Sequence, residues 1–199
     1  MVLYDMGALL AHLRAALTAP AALPEDPAAL AARPAAVLVP LHAGSDGTPH
    51  LIFTERAQTL SRHSGEISFP GGKRDPADPS LWATALREAR EEIGLEPARV
   101  TFLGVLPPVF TVVSNYLIAP QVGLVRGQLA EIAPAVNPAE VAAVIDAPLA
   151  VLADPAIHHT EEWMRNGIPR TIYFYQYGPH RIWGATARIL ADLLRLLPQ

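Results

Sequence analysis

Glu88, Glu91 and Glu92 stand at i, i+3 and i+4, a spacing that on an α-helix stacks three carboxylates on one face. Like charges so placed repel and weaken a bare helix, and a divalent cation is the simplest group to offset that repulsion. Carboxylate and backbone oxygens are the donors that suit magnesium or manganese. Just upstream, Phe69-Pro70-Gly71-Gly72 is a turn in which backbone carbonyls can approach the same ion. A triplet of this kind standing alone also describes a solvated acidic helix face, so the surrounding sequence has to decide between the two.

The element that must carry these carboxylates is a helix from 79 to 93. Asp78 reads as its N-cap, with Pro79 at the first helical position. Trp82, Leu86, Ala89 and Ile93 read as its buried stripe, and Gly94 as its stop. Strands are expected at 35–41, 51–55 and 66–69 before it, and at 100–106, 109–113 and 116–124 after it. Asn137-Pro138-Ala139-Glu140 is expected to open a short helix capped by Asn137. A strand at 172–177 and a closing amphipathic helix at 184–197 complete the chain. No regular βαβ repeat runs through this order, which argues against a doubly wound fold and for an α/β chain of the α+β type. At the N-terminus, residues 5–17 form a helix with Leu9, Leu13 and Leu17 along one side, and 18–34 are rich in alanine and proline. The expected organisation is a helix and strap over 1–34 packed on a main domain over 35–199.

The composition suits a compact enzyme. The 199 residues are 51% hydrophobic, enough for one well-buried core and too few for two full enzyme domains. Cysteine is absent, which excludes disulfides and thiol chemistry. His12 and Arg14 interrupt the N-terminal apolar stretch, so it does not read as a signal peptide. No apolar run reaches membrane-spanning length, and a cytoplasmic location is expected. The formal charge of −4, from 15 basic and 19 acidic residues, argues against a broad nucleic-acid surface. A polyanionic small molecule must then be met locally, by metal and a few cationic side chains.

Arg87-Glu88-Ala89-Arg90-Glu91-Glu92-Ile93-Gly94-Leu95, with Gly72 upstream, resembles the core of the Nudix box at every fixed position. One departure is a spacing of fifteen positions from Gly72 to Arg87 where the usual box has fourteen. Asp78 stands where the box carries its first glutamate. The segment from Leu51-Ile52-Phe53-Thr54-Glu55-Arg56 through Gly65-Glu66 into Phe69-Pro70-Gly71-Gly72 is similar to the signature that precedes the box in coenzyme A pyrophosphatases. Ala57 replaces that signature's serine, and Ser61 its second arginine, with Arg62 next in line. Segments 120–124 and 182–187 also look like that family, so the resemblance runs from about residue 34 to the C-terminus.

The resemblance implies a Nudix fold, a mixed sheet sandwiched between helices, and hydrolysis of a diphosphate linked to another moiety. It implies Mg2+ or Mn2+ held by Glu88, Glu92, Glu91 and the Gly72 carbonyl. Arg87 is expected to pair with a box glutamate, Glu91 being within reach. The general base is open between Glu88, a distal acid such as Glu140 and a water held by metal alone. The implied substrate is coenzyme A or its thioesters, cut to 3′,5′-ADP and 4′-phosphopantetheine. Alternatives are ADP-ribose, a dinucleotide or a nucleoside triphosphate, or a nucleotide sensor without catalysis. Arg56, Arg62, Lys73 and Arg74 flank the loop entering the box and are candidates for phosphate contact, with Phe69 beside them. His63 reads as a loop residue, and His158-His159 as a surface pair lacking a spaced third ligand. Tyr173, Phe174, Tyr175 and Tyr177 read as a strand with one face able to stack adenine, although a hydrophobic sheet face explains them as well. Trp183 reads as the anchor of the last helix in the core.

Overall fold

The computed structural model describes residues 4–17, 31–57, 65–165 and 167–198. The expected strap at 18–34 falls largely outside them, and so do Ser61, Arg62 and His63. Strands β1 (Arg33–Ala43), β2 (Pro49–Arg56), β3 (Ile67–Ser68), β4 (Gly71–Lys73), β5 (Val100–Val105), β6 (Val109–Thr111), β7 (Tyr116–Val125) and β8 (Val141–Pro148) form one mixed sheet. Its central pair, β1 and β7, is parallel, with Arg33 opposite Tyr116 and Leu41 opposite Leu124. The other pairings are antiparallel. A second sheet of three strands, β9 (His158–Arg165), β10 (Ile168–Tyr177) and β11 (His180–Trp183), follows in the chain.

Alternation along the strands sorts side chains into two cores, because successive residues point to opposite sheet faces. Ala36, Leu38 and Ile52 face helix α2 (Leu81–Ile93) and bury Ala85, Ala89 and Ile93. Val39, Leu41, Leu51 and Phe53 face the other side. There they meet Leu9, Leu13 and Leu17 from α1 (Met6–Ala16) and its end, together with Ile189, Leu190 and Leu193 of the last helix (Gly184–Leu194). The sheet is thus sandwiched between helices, as a Nudix fold requires. Among the described residues no helix is long and apolar enough to cross a membrane.

Three local expectations change. Helix α2 starts two residues later than expected: Ser80 is its N-cap, in extended conformation, with its hydroxyl accepting from the Ala83 N–H at 3.1 Å. Asp78 is drawn away from capping by stronger partners. The buried stripe is Ala85, Ala89 and Ile93 rather than one led by Trp82 and Leu86, which are only half-buried. Small residues let the helix backbone approach β1, and Trp82 turns outward to meet Phe102 edge-on at 4.9 Å. Residues 138–140 form turns and not a helix; Asn137 Oδ1 accepts from the Ala139 N–H, and the chain passes directly into β8. Gly94 does end α2, in the left-handed conformation (φ 73°) that glycine adopts without a Cβ penalty.

Candidate active site

The site is built where β4 is pressed between β1 and α2. A Cβ on Gly71 would come within 2.4 Å of the Ala36 carbonyl oxygen, and one on Gly72 within 2.5 Å of the Glu88 carboxylate. Gly71 is therefore a steric demand of the backbone, since the strand lies flat on β1, whereas a side chain at Gly72 would displace the Glu88 carboxylate that rests against its backbone.

Each box carboxylate occupies a different environment. Glu91 is exposed and its Oε2 accepts from Arg87 at 3.0 Å. Glu88 is largely covered, pairs with Arg87 at 2.9 Å, and is raised above the usual carboxylate range by burial, against the pull of Arg87. Glu92 is 3% exposed. Burial first, and the neighbouring Glu88 charge second, push its carboxyl up to about 8, while the Gly71 N–H and the Arg56 charge pull the other way. Glu92 Oε2 is buried without a hydrogen-bond partner.

Arg87 is fixed from behind by a residue assigned elsewhere on the sequence alone. Asp78 accepts from Arg87 at both oxygens, 3.1 and 3.0 Å, from the Thr84 hydroxyl at 2.9 Å and from the Asp75 N–H at 3.0 Å. The Arg87 guanidinium holds Asp78 well below the usual carboxylate range. Arg87 also donates to the Lys73 carbonyl at 3.2 Å, so one guanidinium joins the loop, β4 and the helix. The extra residue in the Gly72–Arg87 spacing is absorbed in the 74–80 loop, and Asp78 still reaches Arg87.

Glu140 belongs to the same group. Its charge bears on both Glu88 and Glu92. Its turn is tied to α2 by the Asn137 N–H donating to the Glu92 carbonyl at 2.8 Å, and to β2 by the Ala57 N–H donating to the Glu140 carbonyl at 2.9 Å. The Asn137 side-chain amide donates to Glu140 Oε1 at 3.3 Å.

Of the cationic candidates, Arg56 is half-buried at the end of β2 on the carboxylate side. Lys73 is exposed, and Arg74 donates to the Asp78 carbonyl at 3.1 Å. Phe69 is corrected. It is 2% exposed and stacked on Phe53 at 4.6 Å in the core, where a substrate cannot touch it, because its apolar ring gains more by packing than by lining a wet cleft. Trp183 is also not a core residue; it is half-buried and stacks on Phe174. His158 and His159 lie on β9 and not in a loop, His159 stacked on Phe174 at 4.8 Å.

The NUDIX domain family model matches residues 32–166. The chain belongs to the Nudix family. It is 41% identical over 161 residues to a protein of Photorhabdus laumondii named "Uncharacterized Nudix hydrolase NudL", covering 81% of this chain and 83% of that one. It is 42% identical to "Nudix hydrolase 22, chloroplastic" of Arabidopsis thaliana, covering 78% of this chain and 52% of the plant protein. Among solved structures, the Nudix hydrolase RenU of M. smegmatis shares the fold with a TM-score of 0.50 at 19% identity, over 61% of this chain and 73% of that one.

In this Nudix site the donors are oxygens, one buried carboxylate oxygen has no partner, and a second carboxylate lies against a glycine backbone. That set suits a hard divalent cation such as Mg2+ or Mn2+ better than a soft metal. Without a cation, keeping Glu92 buried carries a pH signature. Its folded pKa of about 8 lies above the ordinary 4.5, so between those values the folded chain keeps a proton that the unfolded chain has released. The resulting stability is full below about pH 4.5 and is lost as pH rises through 8. In chelator, the native chain is expected to lose stability between pH 6 and 9, while Glu92→Gln removes this part of the slope. Urea midpoints of both proteins at the two pH values check it, and parallel slopes would refute the assignment.

Proposed function

We propose that this Nudix-family chain is a metal-dependent pyrophosphatase that hydrolyses the diphosphate of coenzyme A, and of its thioesters, to 3′,5′-ADP and 4′-phosphopantetheine. The observation that carries the reading is the seating of Glu88 and Glu92 against Gly71-Gly72, with Arg56 on the same side. Glu88, Glu92, Glu91 and the Gly72 carbonyl would hold Mg2+ or Mn2+, which when bound neutralises phosphate oxygens and acidifies a water. The protein residues supply the rest. Arg87, locked by Asp78, holds Glu88 and Glu91 in place. Arg56 offers a cation to phosphate. Glu88 or Glu140 would accept the proton of the attacking water, unless a water held by metal alone needs no protein base. The substrate assignment rests on the similarity of the 51–72 segment to the coenzyme A pyrophosphatase signature, whose first arginine is Arg56.

With Mg2+ or Mn2+, coenzyme A is expected to yield 3′,5′-ADP, and oxygen-18 water identifies the phosphorus attacked. Faster hydrolysis of ADP-ribose or a dinucleotide would replace the substrate assignment. Binding without hydrolysis under either metal would make the chain a sensor. If Arg56 meets the 3′-phosphate, coenzyme A should be preferred over dephospho-coenzyme A. A charge-assisted contact is worth roughly 1.5–3 kcal/mol, about tenfold to a hundredfold. Arg56→Ala should close that gap by weakening coenzyme A alone. Equal kcat/KM for the two substrates in the native enzyme would show that the 3′-phosphate is not read.

A further inference from the structure

A second ligand-bearing cluster lies on the same sheet face as α2 but toward the other end of β1. His42 and His50 are directly paired across β1 and β2, and Asp146 lies opposite Ile52 on the neighbouring β8. His42 is six residues beyond Ala36, the partner of Gly72, or about 20 Å along the strand. His42 Nε2 is 2.9 Å and His50 Nδ1 2.8 Å from the same oxygen, Asp146 Oδ1. One ligand atom from each of the three residues lies within 4.8 Å of the others, the only such group of three found among the described residues.

Hydrogen bonding alone leaves this cluster poorly satisfied. His42 is 1% and His50 9% exposed, and His42 Nδ1 and His50 Nε2 are buried without hydrogen-bond partners. Buried polar atoms of this kind are rare and costly. If neutral His50 donates from Nδ1 to Asp146, its Nε2 carries a lone pair toward Asp46 Oδ1, 3.4 Å away, and two acceptors face each other. Asp46 is held in that orientation by the Thr48 N–H at 2.9 Å and the Thr48 hydroxyl at 2.8 Å. The turn closes tightly on the ring, since a Cβ on Gly44 would stand 2.5 Å from it. A metal on His50 Nδ1 reverses the tautomer: Nε2 then carries the proton and Asp46 becomes its acceptor, the arrangement usual behind a metal-bound histidine.

We propose that His42, His50 and Asp146 form a transition-metal site of the zinc class, separate from the box carboxylates, that staples β8 to the β1–β2 hairpin. Two imidazoles and one carboxylate suit zinc, cobalt or nickel, whereas magnesium prefers oxygen donors. The Asp146 side chain is 23% exposed, which gives the ion a way in and leaves room for a water as the remaining ligand.

The test uses the native 199-residue chain, stripped by chelator and held in excess Mg2+, then titrated with Co2+. One equivalent of Co2+ per chain, with a visible d–d spectrum and displacement by Zn2+, is expected. His50→Gln or Asp146→Asn should abolish the spectrum, and Asp46→Asn should weaken binding by about 10–100-fold. No Co2+ bound in excess Mg2+, or binding that survives both ligand substitutions, overturns the proposal. X-ray absorption at the zinc edge on the native chain needs no substitution. Two imidazole nitrogens in the shell support the site, and an all-oxygen shell overturns it even if the variants do not fold.

Discussion

Glu88→Gln and Glu92→Gln are each expected to lower turnover by about 10²–10³-fold, the usual cost of deleting one group that stabilises developing charge, while the fold persists. Glutamine keeps the shape of glutamate and removes its charge, so the Gly72 cradle and the Ala85–Ala89–Ile93 packing remain intact. Glu92→Gln should be the better folded of the two, because burial already favours a neutral side chain there. Glu91→Gln should cost less, since Glu91 is exposed and one of its oxygens is engaged by Arg87. Steady-state kinetics at saturating Mg2+ or Mn2+, with circular dichroism as the fold control, measure this. Near-native turnover in either the Glu88 or the Glu92 variant would remove that residue from the proposed metal site. Chelator should likewise stop turnover without unfolding the chain, because both apolar cores are complete without an ion.

Asp78→Ala is the substitution outside the carboxylate triplet with the largest expected effect. It strips Arg87 of its two-oxygen partner, leaves the Asp75 N–H without its acceptor, and leaves the Thr84 hydroxyl only the Ser80 carbonyl at 3.2 Å. Breaking a fully buried pair costs about 3–5 kcal/mol; Arg87 is 30% exposed, so about 1–3 kcal/mol is expected here, or roughly 2–4 °C in Tm per kcal/mol for a chain of this size. The pH dependence has the opposite sign to that of Glu92. Arg87 depresses the folded pKa of Asp78, so this stability is full above the ordinary carboxylate value of 3.8 and is lost as pH falls below it. Turnover should fall as well, because a released Arg87 no longer holds Glu88 and Glu91. Unchanged stability in Asp78→Ala, measured by urea unfolding at pH 7, would show that the loop and not this ion pair orders Arg87.

Much of the fold was legible because its signals are local. Leu9, Leu13 and Leu17 recur at helical spacing and are all buried. Short apolar runs marked β1, β2 and β7 to within two residues at each end. Strand β8 was missed because Val141-Ala-Ala-Val-Ile-Asp-Ala-Pro148 is rich in alanine, a poor strand former. It is a strand because β2 offers it an edge, with Ile52 opposite Asp146, and strand preference follows such context more than intrinsic propensity. The turn at 137–140 was read as a helix start for a related reason: Asn137 does serve an N–H two residues on, but an Asx turn and an N-cap look alike in sequence.

For the site, sequence by itself determined what helical geometry determines: three carboxylates within two turns, two glycines ahead of them, and an arginine one turn from Glu91. Tertiary structure decided how these groups differ. Glu92 is buried and Glu91 exposed because α2 docks along Ala85, Ala89 and Ile93, which turns position 92 toward β4 and position 91 outward. Asp78 became the partner of Arg87 and Phe69 a core residue through contacts that no local pattern encodes. Glu140 joined the site, and His42 met Asp146 across 104 residues, only when the sheet closed. Periodicity reports which face of an element a residue occupies; what that face meets, and therefore whether a carboxylate is solvated or buried, depends on strands paired far along the chain.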